Sequence, residues 1–353
     1  MNPSYGSRVG LVGATSLQGR ELTTVMKERN FPVLSSVAIE PDKKEPEIPV
    51  LDVESGALES TALQDLKGDE LDFIFVAAPL TSADWDVLAS GARGDASGRV
   101  ETKGPVVISL VEILPEADSA IFSSHGPDQR TTPSTETKNR FIRSPHAVSV
   151  VLSTLLLRIA AQFPVVRSVA NVFAPASNLG PQAVEELQEQ ILKLMSFKKI
   201  PEAVFGSQIA FNMLPRLAGR TARTAIPELE ARIRRELSLS LAGRIPNPAV
   251  RVLQVPVFFC TAFSVYVEVG SKADAALASK ALEGDGVQVH RLSQPAATQV
   301  EAAGSADILV DGVVEDASGN SGLWLWAAVD DLHLAAKSAV EMAEQFLKKA
   351  MLH

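Results

Sequence analysis

The chain is poor in cysteine, in aromatic residues and in long apolar runs. Its 353 residues include one cysteine, Cys260, and only 5% aromatic residues. A single cysteine excludes a disulfide framework and is typical of a reducing compartment, so we expect a cytoplasmic protein. The longest apolar segment, residues 147–166, contains Arg158 and Gln162, which favours a core helix over a membrane span. The polar N-terminus lacks the features of a signal peptide.

Positive charge is also scarce. Lys and Arg total 33 against 42 Asp and Glu, which gives a net charge of −9 at pH 7. This balance argues against nonspecific nucleic-acid binding, so we expect neither a nucleic acid nor a membrane as a partner. Apolar residues make up 46% and charged residues 21%, which is ordinary for a globular protein. The length predicts roughly two domains.

Strands and helices alternate in the first third of the chain. A β-rich run at 8–14 has Gly13 near its end. It is followed by apolar residues at helical spacing over 17–29. Further strands are predicted at 33–39, 71–78 and 105–110, and this alternation indicates a parallel α/β sheet. The polar, Thr- and Pro-rich segment 126–138 is a candidate domain boundary.

The rest of the chain mixes helices with a long β-rich stretch. A helix is expected after Pro145, a strand at 165–173, and further helices at 181–195, 228–241 and 335–352. Residues 250–269 alternate and are rich in β-branched side chains, which predicts paired strands in a large sheet.

Several motifs follow one another in a recognisable order. They are residues 9–21 (VGLVGATSLQGRE), 28–33 (ERNFPV), 177–187 (SNLGPQAVEEL), 209–215 (IAFNMLP), 255–257 (VPV), 322–332 (GLWLWAAVDDL) and 339–344 (AVEMAE). In this order and spacing they resemble the aspartate-semialdehyde dehydrogenase family over nearly the whole chain. The resemblance implies an α/β fold with a Rossmann-type dinucleotide-binding domain at 1–127. It also implies an α+β dimerisation and substrate domain with a large mixed sheet at 128–330, and a C-terminal helix at 331–353 that packs back on the first domain. A homodimer built on the large sheet is therefore expected.

The same resemblance points to missing catalytic groups. In such enzymes a cysteine thiolate attacks an aldehyde, hydride passes to NADP, and phosphate takes the acyl group. A histidine acts as acid and base, and an arginine binds the substrate carboxylate. Matching the motifs places Ala147 at the position of the family's cysteine, Thr261 at that of the histidine and Gln254 at that of the arginine.

The resemblance therefore implies a family member without the thiol-dependent activity, which retains nucleotide binding or acts through a partner. Two alternatives stay open. One is an NAD(P)-dependent oxidoreductase that acts on an aldehyde or oxo group of another substrate without covalent catalysis. The other is a structural partner of an active paralogue. Whether the chain is an enzyme is thus left open.

A glycine loop lies between the first strand and the first helix, where a phosphate would meet helix N–H groups. Ser16 stands where the family has glycine, so its side chain either crowds a ligand or donates a hydrogen bond to it. A tight turn that binds nothing fits the loop equally well. The candidate cofactor-binding residues here are Gly13, Thr15, Ser16, Leu17, Gln18 and Gly19.

Glu40 ends the second predicted strand, where a carboxylate would bond a ribose hydroxyl. It would repel the 2′-phosphate of NADP, so NAD is favoured if a dinucleotide is bound at all. A solvated Glu40 is the alternative.

Four further features have structural interpretations that we favour. Ser144 is expected to cap the helix after Pro145, with a partly exposed His146, rather than to act as a nucleophile with His146 as its base. Cys260, among phenylalanines, is expected to be an inert core residue. Trp324 and Trp326 are expected to pack in the core or between subunits. The histidines are scattered, and no spacing indicates a metal site.

An arginine-rich segment is either a residual site for a small anionic ligand or a solvated helix face. The solvated face, paired with Glu228, Glu230 and Glu236, is the interpretation we favour. The arginines are Arg216, Arg220, Arg223, Arg232, Arg234 and Arg235.

Overall fold

The computed structural model describes residues 6–40, 51–52, 56–57, 59–66, 70–93, 104–111, 120–121, 141–219, 223–291, 293–319 and 321–350. The chain divides into two compact units. The first comprises Met1–Ser124, Gln129–Pro145 and Ala335–His353, and the second comprises His125–Asp128 and His146–Leu334. The boundary predicted at residue 127, with the whole of segment 126–138, lies outside the described residues.

The first unit is built on a parallel sheet. In chain order its elements are β1 (Ser7–Val12), α1 (Leu17–Glu28), β2 (Val33–Glu40), β3 (Leu51–Asp52), β4 (Gly56–Ala57), β5 (Glu59–Ala62), β6 (Phe73–Val76), α2 (Ser82–Arg93), β7 (Val106–Ser109), β8 (Ala120–Ile121) and β9 (Phe141–Arg143). Seven strands form the sheet in the order β5-β2-β1-β6-β7-β9-β8, and every pair in it is parallel. The short strands β3 and β4 form a separate antiparallel pair.

The strand β9 belongs to the sheet of the first unit. β9 pairs with β7 on one side and β8 on the other, and its three residues are buried. The strands β6 and β7 are also buried along their whole length, as expected for a parallel sheet covered on both faces.

The last helix, α8 (Asp331–Ala350), contributes to the first unit from Ala335 onward. Its residues Ala339 and Val340 are buried in one hydrophobic cluster with Leu22 of α1 and Phe75 of β6. Arg29, just after α1, donates hydrogen bonds at 2.9 and 2.8 Å to the two carboxylate oxygens of Glu344 on α8.

The second unit is built on a mixed sheet. Its elements are α3 (Ala147–Ala160), β10 (Val165–Ala174), α4 (Pro181–Met195), α5 (Ala225–Leu241), β11 (Ala249–Gln254), β12 (Thr261–Val269), α6 (Ala275–Leu282), β13 (Val287–Val289), α7 (Gln299–Ala302), β14 (Ile308–Glu315) and β15 (Gly322–Val329). The six strands have the order β11-β10-β12-β15-β14-β13. The predicted α/β class, with a Rossmann-type sheet and a large mixed sheet, is confirmed.

The pairing predicted within residues 250–269 is wrong in one respect. Both β11 and β12 are strands of the same sheet, but each pairs with β10 rather than with the other. β10 lies between them, parallel to β11 and antiparallel to β12. Alternation in a sequence indicates a strand but does not identify its neighbour.

One face of the mixed sheet is covered by helices of the same unit. α3 packs on β10, α5 on β11 and α6 on β14. α3 is almost entirely buried, so residues 147–160 form a core helix, as predicted. The rest of the predicted helical segment 147–166 is not helical, because β10 begins at Val165. Within the described ranges, no helix combines the length and apolarity needed to cross a bilayer.

The opposite face of this sheet carries a row of apolar side chains. Val169, Tyr266, Trp324 and Val314 stand opposite one another on four neighbouring strands. Val169, Trp324 and Val314 are 40%, 41% and 49% exposed. Trp324 packs against Tyr266 with ring centroids 5.0 Å apart, whereas Trp326 is partly buried against Phe173. Trp324 is therefore not a core residue.

Candidate functional site

The glycine loop lies at the point where the parallel sheet reverses its strand order. β1 pairs with β2 on one side and β6 on the other, so the chain crosses over at this strand. Ligands of open α/β sheets bind beyond the carboxyl ends of the strands at such a point. Gly13 has φ +75°, and a Cβ there would lie 2.3 Å from the Cβ of Ala78. A Cβ on Gly19 would lie 2.3 Å from the carbonyl oxygen of Gly13, so α1 starts in close contact with the loop.

Ser16 is the N-cap of α1. Its hydroxyl accepts a hydrogen bond from the Gly19 N–H at 2.9 Å and donates one to the carbonyl oxygen of Ala77 at 3.0 Å. The hydroxyl hydrogen is therefore used inside the loop instead of being directed at a ligand. Thr15, Ser16, Leu17 and Gln18 are each partly exposed. The backbone of this loop, rather than the serine side chain, is the part suited to a phosphate.

Glu40 is the last residue of β2, as predicted, and its side chain is only partly solvated. Its Oε1 is buried and has no hydrogen-bond partner among the described residues. Burial raises the pKa of Glu40 above its ordinary value. A buried carboxylate oxygen without a donor suits a ligand that brings one, such as a ribose hydroxyl. The loop and Glu40 thus fit the adenosine half of a dinucleotide.

The head of α3 is arranged around His146 rather than Ser144. The helix begins at Ala147, which is 2% exposed. The Nδ1 of His146 accepts a hydrogen bond from the Val148 N–H at 3.2 Å, so His146 is the N-cap. The prediction that Ser144 caps this helix is wrong, because its backbone N–H donates to Ser109 in the first sheet and the residue is part of the preceding segment. The chain's one cysteine, Cys260, lies elsewhere and is buried.

A buried ion pair supports the head of α3. Glu236 accepts a hydrogen bond from the His146 backbone N–H at 2.8 Å and one from Arg232 Nε at 2.7 Å. Arg232 is 7% exposed and Glu236 is fully buried, so the prediction of a solvated face is wrong for this pair. Arg234, by contrast, is exposed. Arg220 lies outside the described residues.

The ionisation of this cluster follows from its burial. Desolvation lowers the pKa of His146 to about 4, with a further contribution from the charge of Arg232. Burial acts to raise the pKa of Glu236, but the charge and hydrogen bond of Arg232 overcome it and the pKa lies below its ordinary value. His146 is therefore neutral near pH 7, and its Nδ1 is already used as an acceptor. It is a capping residue rather than a base for Ser144.

Gln254, at the end of β11, is held by main-chain groups. Its Nε2 donates to the carbonyl oxygen of Ala174 at 2.9 Å, and its backbone exchanges two hydrogen bonds with Leu214. The residue is 1% exposed. Its amide joins β10 to β11 and carries no charge to pair with a carboxylate.

The segment between β11 and β12 ends in a left-handed residue. Cys260 has φ +70° and is 2% exposed, a conformation that favours glycine. The expected inert, buried cysteine is confirmed as buried.

Thr261 follows immediately and is fully buried. Its hydroxyl is 3.0 Å from Oδ1 of Asp331, the first residue of α8. Burial raises the pKa of Asp331 to about 7, and the charge of Asp330 adds to this effect. Sequence reasoning missed Asp331, and the only signal was the pair of adjacent carboxylates after β15.

Comparison with known proteins gives consistent matches. The family profile of the semialdehyde dehydrogenase dimerisation domain matches residues 156–334. An aspartate-semialdehyde dehydrogenase of Rickettsia bellii is 25% identical over 357 positions, which cover 96% of this chain and 97% of that relative.

Two solved structures share the fold. A probable aspartate-semialdehyde dehydrogenase from Pseudomonas aeruginosa has a TM-score of 0.83 at 23% identity, covering 98% of this chain and 99% of that one. An aspartate-semialdehyde dehydrogenase from Candida albicans, solved with NADP, has a TM-score of 0.64 at 13% identity, covering 98% and 99%. At these identities the likeness supports the fold alone.

Proposed function

The chain belongs to the semialdehyde dehydrogenase family, and we propose that it binds a nicotinamide dinucleotide without carrying out thiol-dependent aldehyde oxidation. The head of α3 carries this proposal. Ala147 occupies the first helical position, where a helix N-terminus would favour a thiolate, and an alanine methyl group cannot act as a nucleophile. Loss of the nucleophile in another enzyme costs about 10⁶ in kcat.

Two further positions support the loss of this chemistry. A threonine hydroxyl does not exchange a proton near neutral pH as a histidine does, and that of Thr261 is bonded to Asp331. The amide of Gln254 is bonded to Ala174 and carries no charge to hold a substrate carboxylate. Without that anchor, an aldehyde carrying a carboxylate is not held in line for attack.

The first unit supports dinucleotide binding. The loop from Gly13 to Gly19 would receive the pyrophosphate, and Glu40 would accept a hydrogen bond from a ribose hydroxyl. When bound, such a cofactor supplies or accepts a hydride. The Glu40 carboxylate would repel a 2′-phosphate, so we propose that NAD binds more tightly than NADP.

We also propose that two copies of the chain form a homodimer through the exposed face of the mixed sheet. The row of Val169, Tyr266, Trp324 and Val314 is an apolar surface on four neighbouring strands, a kind of patch that marks interaction sites. The match to a dimerisation domain supports the choice of a second copy as its partner.

A second candidate is an NAD(P)-dependent oxidoreductase that works without a covalent intermediate. One observation favours it: the carboxyl of Asp331, with a pKa of about 7, is suited to exchanging a proton near neutral pH. Oxidation of NADH by a panel of small aldehydes, with loss of that activity in Asp331→Asn, would favour this candidate over the first.

Calorimetric titration tests the proposed function. We expect saturable binding of NAD by the wild-type protein and weaker binding by Gly13→Val, in which the new side chain would collide with Ala78. Gly243→Val is the matched control, because Gly243 also has a positive φ but has open space around its Cβ position. Absence of NAD and NADP binding by a folded sample would refute the proposal.

A further inference from the structure

A cavity opens at the β13 edge of the mixed sheet. The strand β13 has three residues and pairs with Ile308–Val310 of β14, so within the described residues the second half of β14 has no strand on that side. The helix α6, the segment after β13 and the end of β14 line the cavity left there, which has a volume of about 960 Å³. A cavity of this size suits a small-molecule ligand.

Hydrogen bonds fix the walls of this cavity. Arg158 of α3 donates to the carbonyl oxygens of Gly284 and Asp285, at 2.9 and 2.8 Å, in the turn between α6 and β13. After β13, the backbone N–H of Arg291 donates to the side-chain oxygen of Gln294 at 2.8 Å, and the Gln294 N–H donates to the Arg291 carbonyl oxygen at 2.8 Å. Walls that are fixed in this way lower the entropic cost of binding a ligand.

The carboxylates that line the cavity are bonded to backbone N–H groups. Glu283 follows Lys280 by three positions, a spacing at which oppositely charged side chains commonly pair. Its Oε2 instead accepts a hydrogen bond from the Val289 N–H at 2.9 Å. Asp311 accepts one from the Ala297 N–H at 3.1 Å. Both carboxylates thus hold the backbone of the cavity wall rather than a cation.

Two cations of the same cavity have no partner. Lys280 and Arg291 line it and are exposed, and within the described part of the chain neither side chain forms an ion pair or a hydrogen bond. The chain has 42 Asp and Glu against 33 Lys and Arg, so acidic partners are plentiful. Two unpaired positive charges at a preformed cavity favour an anionic ligand.

We propose that this cavity binds a small organic anion with two negative charges. Its charged group would lie at Lys280 and Arg291, and its apolar part against Ala276 and Val313. A guanidinium group matches two oxygens of a phosphate or a carboxylate, and an ammonium group adds a second point of positive charge. A phosphate monoester and a dicarboxylate share this chemistry. The cavity belongs to the second unit, and the proposal does not depend on dinucleotide binding by the first.

Calorimetric titration with phenyl phosphate, succinate and inorganic phosphate tests the site. We expect saturable binding of phenyl phosphate or of succinate by the wild-type protein, and weaker binding of inorganic phosphate, which has no apolar part. The double variant Lys280→Ala, Arg291→Ala should weaken binding about tenfold or more. The matched control is Lys272→Ala, Arg234→Ala, because it removes the same charge at exposed positions outside the cavity.

Three results of this titration would overturn the proposal. They are no binding of either organic dianion by the wild-type protein, an equal loss of binding in the two double variants, and equal affinity for all three anions, which would indicate an adventitious ion only.

Ala276→Trp tests the cavity without changing its charge. Ala276 is exposed on α6 and lines the cavity, so an indole ring there should fill the space and weaken binding of the organic dianion about tenfold. Leu277→Trp is the matched control, because Leu277 is 39% exposed on the same helix and outside the cavity. Gly13→Val should bind the dianion as the wild type does, because the glycine loop is not the site. Unchanged binding by a folded Ala276→Trp variant, or lost binding in Gly13→Val, would refute the proposal.

Discussion

The Thr261 hydroxyl donates a hydrogen bond to the Asp331 carboxylate across 3.0 Å, and both side chains are buried. The contact joins the first residue of β12 to the first residue of α8. It brings together a position where the family resemblance places a histidine and a carboxyl group whose pKa is raised to about 7. We therefore expect the stability of the second unit to depend on pH through this pair.

The first prediction concerns Asp331. Its pKa is raised from 3.8 to about 7, so the folded state binds the proton more tightly than the unfolded state. The stabilisation from this proton is fully present below pH 4 and is lost as the pH rises through 7, with an upper limit of about 4 kcal/mol. Asp331→Asn can still accept the Thr261 hydrogen bond and should be more stable than wild type at pH 8 but not at pH 4. Urea unfolding at both pH values measures this, and an equal difference at both would contradict it.

The second prediction concerns His146, whose pKa is lowered to about 4. The stabilisation from its neutral form is present above pH 6.5 and is lost as the pH falls toward 4. The resulting decrease in the free energy of unfolding is at most about 3 kcal/mol, because the residue is partly accessible to solvent. His146→Asn keeps an N-cap, so its stability should no longer fall as the pH drops from 6.5 toward 4. His146→Ala should lose this pH dependence as well, but it should be about 1 kcal/mol less stable at pH 7 because the cap is missing. Unfolding curves from pH 4 to 7 distinguish these outcomes.

The local elements of this fold could be predicted from the sequence. The period of apolar residues placed α1, β2 and α4 within a few residues of their observed bounds, and Glu40 is the last residue of β2 as expected. The three-residue strand β9 was missed, because so short a segment has no period of its own. Its place in the first sheet depends on pairing with β7, which is distant in the chain.

The parts of the site that were missed depend on contacts between distant residues. Arg232 and Glu236 stand four residues apart, as many solvated pairs do, and only the position of α5 against α3 buries them. The same holds for Thr261 and Asp331, which are 70 residues apart. A charge pattern gives the spacing of two groups but not their burial, and burial is what sets their pKa values.

The third prediction tests the homodimer. Trp324→Asp places a charge in the middle of the apolar row, so it should break the sheet interface and convert the dimer to monomers. Val300→Asp is the control, because Val300 is 88% exposed on α7 and outside the row. Sedimentation velocity at micromolar concentration reports the mass. An unchanged mass in a folded Trp324→Asp variant would exclude this face as the interface.

The fourth prediction concerns cofactor choice. Glu40→Gln removes the negative charge at the end of β2 but keeps an oxygen that can accept from a ribose hydroxyl. It should therefore strengthen NADP binding about tenfold, through reduced repulsion of the 2′-phosphate, and change NAD binding much less. Calorimetric titration of both proteins with both dinucleotides measures the ratio. Tighter binding of NADP than NAD by the wild-type protein would contradict the role given to Glu40.

The most direct test of the central claim is the phosphate-dependent reduction of NAD or NADP by aspartate semialdehyde, measured for wild type and for Ala147→Cys. We predict no turnover above background for either protein. The wild type has no nucleophile at the head of α3, and Ala147→Cys still has Thr261 bonded to Asp331 and Gln254 bonded to Ala174. The triple change that adds Thr261→His and Gln254→Arg is the smallest set expected to give a signal. Robust turnover by the wild type, or by Ala147→Cys alone, would contradict the account.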